Sequence, residues 1–369
     1  MSKHGLQERD WLYVLGMVPG LGRKRLRAIF DEYGSFAAAV ADWQTVERQW
    51  KLPGKVSQQV REHIKEETAR LFVEQRNRRD IQYLCFLDDD FPDKLRHIPD
   101  PPLTLFCKGE SDLLHQPAIG VVGSRKPTPY GRASCAHLVK DLARQGLVIV
   151  SGLAYGIDEE AHQTALRANG KTIGVLGCGM NHVYPAGHRS LYKKIESLGL
   201  LVSEYPPETP PVAGLFPERN RIISGLSLGV LVVEAAEKSG SLVTADCALE
   251  QGRDVFAVPG PIFSSVSAGP NNLIKQGAKL VTTSADVLEE WAHMLPKQAA
   301  ACEEQSAHGE QLEDHEREVL RVLSHEGTHL DEVALLLRPE AVRMLHRSLL
   351  TLEAKGMVAS LPGGYFARR

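Results

Sequence analysis

Between Ala118 and Trp291, short apolar runs rich in β-branched residues alternate with helical stretches, and this alternation limits the fold more than any other feature of the chain. The runs are Ala118 to Val122, Val148 to Val150, Thr172 to Leu176, Leu200 to Val202, Val230 to Val233, Val255 to Val258 and Lys279 to Val281. Each is too short for a helix, and near-continuous apolar character marks strands covered on both faces, as in a parallel sheet. Helices are expected between them at Arg132 to Gln145, Asp158 to Ala168, Arg189 to Ser197, Arg219 to Ser227, Leu242 to Gln251 and Asn271 to Lys275. The pattern predicts an α/β fold, an extended Rossmann-like doubly wound sheet. Ligands of such a sheet sit outside the carboxyl ends of its strands.

The residues at those ends suit an anion. The first run leads into Gly123-Ser124-Arg125-Lys126, the second into Ser151-Gly152, and Val230 to Val233 into Glu234 and then Ser239-Gly240-Ser241. Glycine admits a close backbone approach, and the N–H groups opening the next helix favour negative charge. Arg125 either grips a phosphate bidentately or caps a helix end. Arg219-Asn220-Arg221 places two cations where a helix is expected to begin, an unfavourable position that a bound phosphate or a pairing with Glu218 or Glu234 would repair. Ser124, Ser151 and Ser241 read as phosphate hydrogen-bonders rather than nucleophiles. Asp158 reads as a helix N-cap with His162 as a candidate partner, and Glu234 as a general base without an adjacent nucleophile.

Several function classes are disfavoured. No turn carries the G-x-G-x-x-G spacing of dinucleotide sites, and G-x-x-x-x-G-K-[ST] is absent, so no nucleotide cofactor is expected. The six cysteines lack zinc-ligand spacing and read as reduced cytosolic thiols, with no metal site. No stretch approaches the ~20 apolar residues of a membrane span, and no secretory h-region opens the chain, so a cytoplasmic protein is expected. The net charge of −3 confines any nucleic-acid contact to local basic patches.

At 369 residues the chain is longer than one core usually serves. Residues 1–80 read as small helices; Val18-Pro19-Gly20-Leu21-Gly22 with Arg23, Lys24, Arg25 and Arg27 is similar to a helix-hairpin-helix, with a fainter copy at Leu52-Pro53-Gly54-Lys55-Val56. A bundle whose Pro-Gly turns are only turns remains open. Residues 81–295 form the central module, 296–311 a polar linker, and 312–369 three helices and a two-stranded ribbon, a winged helix in outline. That last unit either contacts DNA through Arg343, His346, Arg347 and Lys355 or docks a protein.

Taken in order, Gly123-Ser124-Arg125 with Tyr130-Gly131-Arg132, Ser151-Gly152-Leu153-Ala154 with Gly156-Ile157-Asp158, Phe216-Pro217 with Arg219-Asn220-Arg221-Ile222-Ile223, Val232-Val233-Glu234-Ala235 with Ser239-Gly240-Ser241, and Gly252 through Pro259-Gly260 resemble the DNA-processing protein A (DprA/Smf) family. The resemblance implies a non-catalytic protein that coats incoming single-stranded DNA, shields it, and loads the RecA recombinase in natural transformation, with self-association through the central module. It also implies a DNA pocket drawing on Ser124, Arg125, Arg219, Asn220, Arg221, Ser239, Gly240, Asn271 and Lys275. Tyr155 stands where the family often has arginine, and Ala268 and Asn272 stand in a stretch that is often more basic. Tyr155 would then stack on a base, worth ~1–3 kcal/mol, and the missing cations imply a shallower salt dependence. The alternatives are a nucleotide phosphoribohydrolase of the lonely-guy type, whose Pro-Gly-Gly-x-Gly-Thr-x-x-Glu loop is missing, and a winged-helix interaction scaffold.

Overall fold

The structure is a computed structural model, and it describes residues 5–78, 80–292, 312–324, 327–361 and 363–368. The expected linker at 296–311, and Cys302 within it, lie outside the described residues. The central sheet has the strands β1 (Gln82–Cys85), β2 (Thr104–Gly109), β3 (Ala118–Val122), β4 (Val148–Ser151), β5 (Thr172–Leu176), β6 (Leu200–Ser203), β7 (Gly229–Val232), β8 (Asp254–Ala257) and β9 (Lys279–Leu280). Their spatial order is β1-β2-β6-β5-β4-β3-β7-β8-β9. From β6 to β9 every pairing is parallel, and β1 and β2 add an antiparallel edge. The chain winds outward from β3 through β4, β5 and β6, crosses back, and continues on the other side as β7, β8 and β9, so β3 and β7 are neighbours at the switch point.

The parallel strands β3 to β7 are buried at essentially every residue, as their uninterrupted apolar character requires. One core layer packs Val122, Val150, Val175 and Val202 against Ile222, Ile223 and Leu226 of the crossover helix Leu215–Leu226. The other packs Ile119, Val121 and Ile149 against Leu138, Leu142 and Ala161 of the helices Pro129–Arg144 and Ile157–Arg167. Both faces of the sheet are therefore covered, which leaves its carboxyl edge as the open surface.

Three expectations need correction. Strands β1 and β2 were not foreseen: they pair antiparallel across the Pro99 to Pro102 cluster, outside the alternation of apolar runs and helices that marks the parallel strands. The crossover helix begins at Leu215, a full turn before Arg219, so its two arginines sit in the second turn and the conflict with the helix dipole does not arise. The terminal ribbon has a third strand. Its strands are β10 (Thr328–His329), β11 (Val358–Leu361) and β12 (Tyr365–Arg368), in the order β10-β12-β11.

Among the described residues six helices, from Glu8–Gly16 to Glu66–Asn77, precede the sheet. Leu12, Ile29, Phe36 and Trp43 share a core with Tyr83, Cys85 and Phe106 of β1 and β2, so this unit is built onto the antiparallel edge. The terminal unit has helices Asp314–Val322, Leu330–Leu336 and Pro339–Ala354 and its own core of Val319, Val333, Leu345, Leu349, Leu352 and Val358. Among the described residues no helix is long and apolar enough to cross a membrane.

Candidate nucleic-acid interface

A cleft of about 760 Å³ opens at the switch point. Gly123, Ser124 and Arg125 after β3 form one wall, and Ser239, Gly240 and Ser241 after β7 form another. The crossover helix supplies the floor through Phe216, Arg219, Asn220 and Ile223, spaced i, i+3, i+4, i+7 on one helical face.

Helices begin after β3, β4 and β7 at this edge, and their N-termini differ in charge. At Pro129–Arg144 the cap Thr128 gives its backbone N–H and its hydroxyl to the carboxylate of Glu234, at 2.8 and 2.6 Å. Gly131 in that first turn lacks a Cβ because one would overlap the same carboxylate. Glu234 is buried, fixed at a helix dipole, and ties β7 to this helix. The general-base reading is therefore corrected.

At Ile157–Arg167 the first turn holds Asp158, Glu159 and Glu160. Asp158 is not the N-cap, which is Gly156; its carboxylate accepts from the backbone N–H groups of Gly152 and Ala154, at 3.1 and 3.4 Å. Burial pushes its pKa up, against the pull of Arg219 and those amides. His162 is not its partner, since its Nδ1 meets the Thr172 hydroxyl at 2.7 Å in the core.

Gly240–Glu250 is different. Its first turn has no acidic residue, Ser239 caps it through Ser241 N–H, and the Ser239 and Ser241 hydroxyls lie 2.6 Å apart. This end keeps its positive dipole unanswered and offers two hydroxyls beside it.

Arg219 is the buried cation of the floor, only 5% exposed. Its Nη1 donates to the Gly152 carbonyl at 2.6 Å and to that of Val175, and its Nε to Asn220 Oδ1 at 3.2 Å. Gly152 faces this guanidinium so closely that any side chain would collide with it. Burial lowers the Arg219 pKa, with Asp158 opposing that shift. Asn220 Nδ2 donates to Gly240 O at 3.1 Å, which locks the floor to the open helix end. Arg125 and Lys126 are exposed at the rim. The Lys126 N–H donates to Ser124 Oγ and sets the turn.

Other expected site residues lie elsewhere. Arg221 faces away from the cleft, toward the N-terminal unit: it meets Glu204 at 2.7 Å and Asp100 at 3.4 Å and is buried. Two residues along an α-helix subtend about 200°, so Arg219 and Arg221 cannot share a face. Ser151 is fully buried and donates to Val121 O. Asn271 clasps the backbone of Gly260 in both directions, at 3.2 and 3.0 Å. Lys275 is exposed at the far end of the helix Ala268–Lys275, outside the cleft lining. Gly152 serves Arg219 and Asp158 rather than the cleft surface. Tyr155 is half exposed and set edge-on to His188 at 4.7 Å, beside the cleft lining rather than in it. In the hairpin region, Arg23 is also internal, bonded to Asp100 and Glu218, while Lys24 and Arg25 are exposed.

Two residues were missed. Tyr184 and Phe216 line the cleft with ring centroids 5.0 Å apart, an aromatic wall opposite the serines' polar one. The i, i+3, i+4, i+7 spacing from Phe216 to Ile223 carried the signal for Phe216. For Tyr184, in the turn after β5, the sequence held none.

Residues 82–292 match the family DNA recombination-mediator protein A, and residues 303–364 match the DprA winged helix domain. Protein Smf of Escherichia coli (strain K12) is 40% identical over 94% of this chain and 95% of its own length. An X-ray structure of DNA processing protein A from Streptococcus pneumoniae aligns with a TM-score of 0.68 and 37% identity, covering 77% of this chain and 99% of that one. A structure of the Helicobacter pylori DNA processing protein A, described for its single-stranded DNA binding mode, aligns with a TM-score of 0.53 and 31% identity over 58% of this chain and 98% of that one.

Proposed function

The chain belongs to the DNA recombination-mediator protein A family, and from that premise we propose that it binds single-stranded DNA in the switch-point cleft. The observation that carries this reading is the meeting of an acid-free helix start at Ser239–Ser241, a buried Arg219, a rim Arg125 and an aromatic wall in one groove. The backbone phosphate goes to Ser239, Gly240 and Ser241 and to the two arginines. An unstacked base goes against Phe216 and Tyr184, which have ring faces for any base and so read no sequence. A duplex presents its bases already stacked and paired and gains nothing from such a wall.

The likeness to the Helicobacter pylori protein supports the same ligand. In this reading the protein is a cytoplasmic dimer that shields the incoming strand and passes it to the RecA recombinase during natural transformation. In this reading it performs no chemistry on the strand, and Asp158, the carboxylate in the cleft lining, is engaged by the backbone N–H groups of Gly152 and Ala154.

Fluorescence anisotropy of labelled oligothymidylate and of a duplex of equal length, over a salt series, tests it. Tighter binding of the single strand, weakening as salt rises, is expected. Preference for the duplex would overturn the reading.

A further inference from the structure

The terminal unit presents a surface that a DNA reader does not need. A winged helix that reads duplex DNA lays its third helix in the major groove, where outward side chains meet base edges and phosphates. Here that helix is Pro339–Ala354, and Val342, Arg343, His346, Arg347 and Leu350 point outward. Val342, His346 and Leu350 recur every four residues and so form one stripe. Leu350 is 68% exposed, and Leu335 and Leu336, which end the preceding helix, are 84% and 67% exposed. Apolar side chains left this exposed on an outward helix face are what a partner would cover.

Charge narrows the partner. Residues 312–369 hold eight Lys and Arg against nine Asp and Glu, not the basic excess that phosphate binding asks for. Arg317, Arg338 and Lys355 are paired with Asp314, Glu318 and Glu316. Arg343 and Arg347 stand one turn apart, repel each other, and have no ion pair among the described residues. An anionic partner relieves that repulsion, and Val342 and Leu350 exposed on the same helix face call for an apolar one. Nucleic acid meets only the first condition. An amphipathic helix with acidic flanks meets both.

We propose that Leu335, Leu336 and the outward face of Pro339–Ala354 dock an acidic amphipathic helix of a partner protein. The stripe of Val342, His346 and Leu350 receives the apolar face, and Arg343 and Arg347 pair with carboxylates along its edge. This site stands apart from the cleft and does not depend on what the cleft binds.

Short random peptides displayed on phage, panned on the immobilised full chain, test the proposal. The expected winners carry leucine or isoleucine at three- and four-residue spacing with flanking Asp or Glu. Their affinity falls by about tenfold or more on Leu350→Glu and on Arg347→Glu, the size expected of a central anchor. Both substitutions are at exposed positions, so circular dichroism and thermal unfolding should match the unaltered chain. Affinity for single-stranded DNA should also be unchanged. The proposal is overturned if no such peptides are enriched, or if they bind Leu350→Glu as tightly. Weakened duplex binding in both variants, without effect on peptides, would make the face a DNA reader instead. Halving of the solution mass by Leu350→Glu would make it a contact between copies.

Discussion

Two helices start at neighbouring strand ends, Pro129–Arg144 after β3 and Gly240–Glu250 after β7, with the same backbone dipole and opposite fates. Glu234 fills the first with a carboxylate from within the protein, while the second has only hydroxyls and open space before it. A helix end is therefore an anion site only where the chain has not supplied its own anion. The same contrast divides the crossover helix. Arg219 turns to the cleft, and Arg221, two residues on, turns to Glu204 and Asp100, the carboxylates that Arg23 of the N-terminal unit also meets.

The largest effect that would break this comparison is expected from Arg221→Met. Removing Arg221 leaves the buried Glu204 only Arg23, 3.9 Å away, and should lower unfolding free energy by about 3 kcal/mol. Single-strand affinity of the folded protein should stay as it was. A loss of affinity with stability intact would move Arg221 into the binding site.

Ser239→Asp makes the open helix end resemble the filled one. Aspartate caps a helix as well as serine does, so the melting temperature should hold or rise. The added carboxylate should weaken single-strand binding by about tenfold, roughly the 1.4 kcal/mol of one displaced charge contact. Equal affinity would show that the phosphate lies elsewhere.

The smallest effect at neutral pH concerns the core behind the cleft. Burial, with His188 and Arg219 close by, lowers the pKa of His162 to about 3. The unfolded chain protonates the same ring near 6.5, so stability from its neutral burial is complete above that pH and is lost as pH falls toward 3. The slope from this one group is at most about 1.4 kcal/mol per pH unit. His162→Gln should flatten the stability curve in that window, as denaturant midpoints read at several pH values would reveal; an unaltered slope would place the acid sensitivity in other groups.

Much of the fold was legible because the strands of a buried parallel sheet write themselves as apolar runs. The runs at Ala118 to Val122 and Thr172 to Leu176 coincide with β3 and β5, and the others differ by a residue at their ends. The antiparallel edge was not legible, since Gln82–Cys85 opens on an exposed polar residue and gains its burial from the N-terminal helices rather than from its own pattern. At the cleft, residue type pointed to turns that line it but not to which groups were already engaged. Ser151 and Asn271 have the right chemistry for a phosphate, yet Val121 O and the Gly260 backbone hold them. Glu234 looked reactive in sequence because nothing local shows that Thr128, more than a hundred residues earlier, binds it.

The central claim is that the acid-free helix start and the cations beside it grip the strand. Its most direct test is the dissociation constant of labelled oligothymidylate for Arg125→Ala at fixed salt, beside the unaltered chain. Arg125 is exposed, so stability should not change, and losing its charged contact should weaken binding by roughly tenfold to a hundredfold. An unchanged constant would contradict the claim.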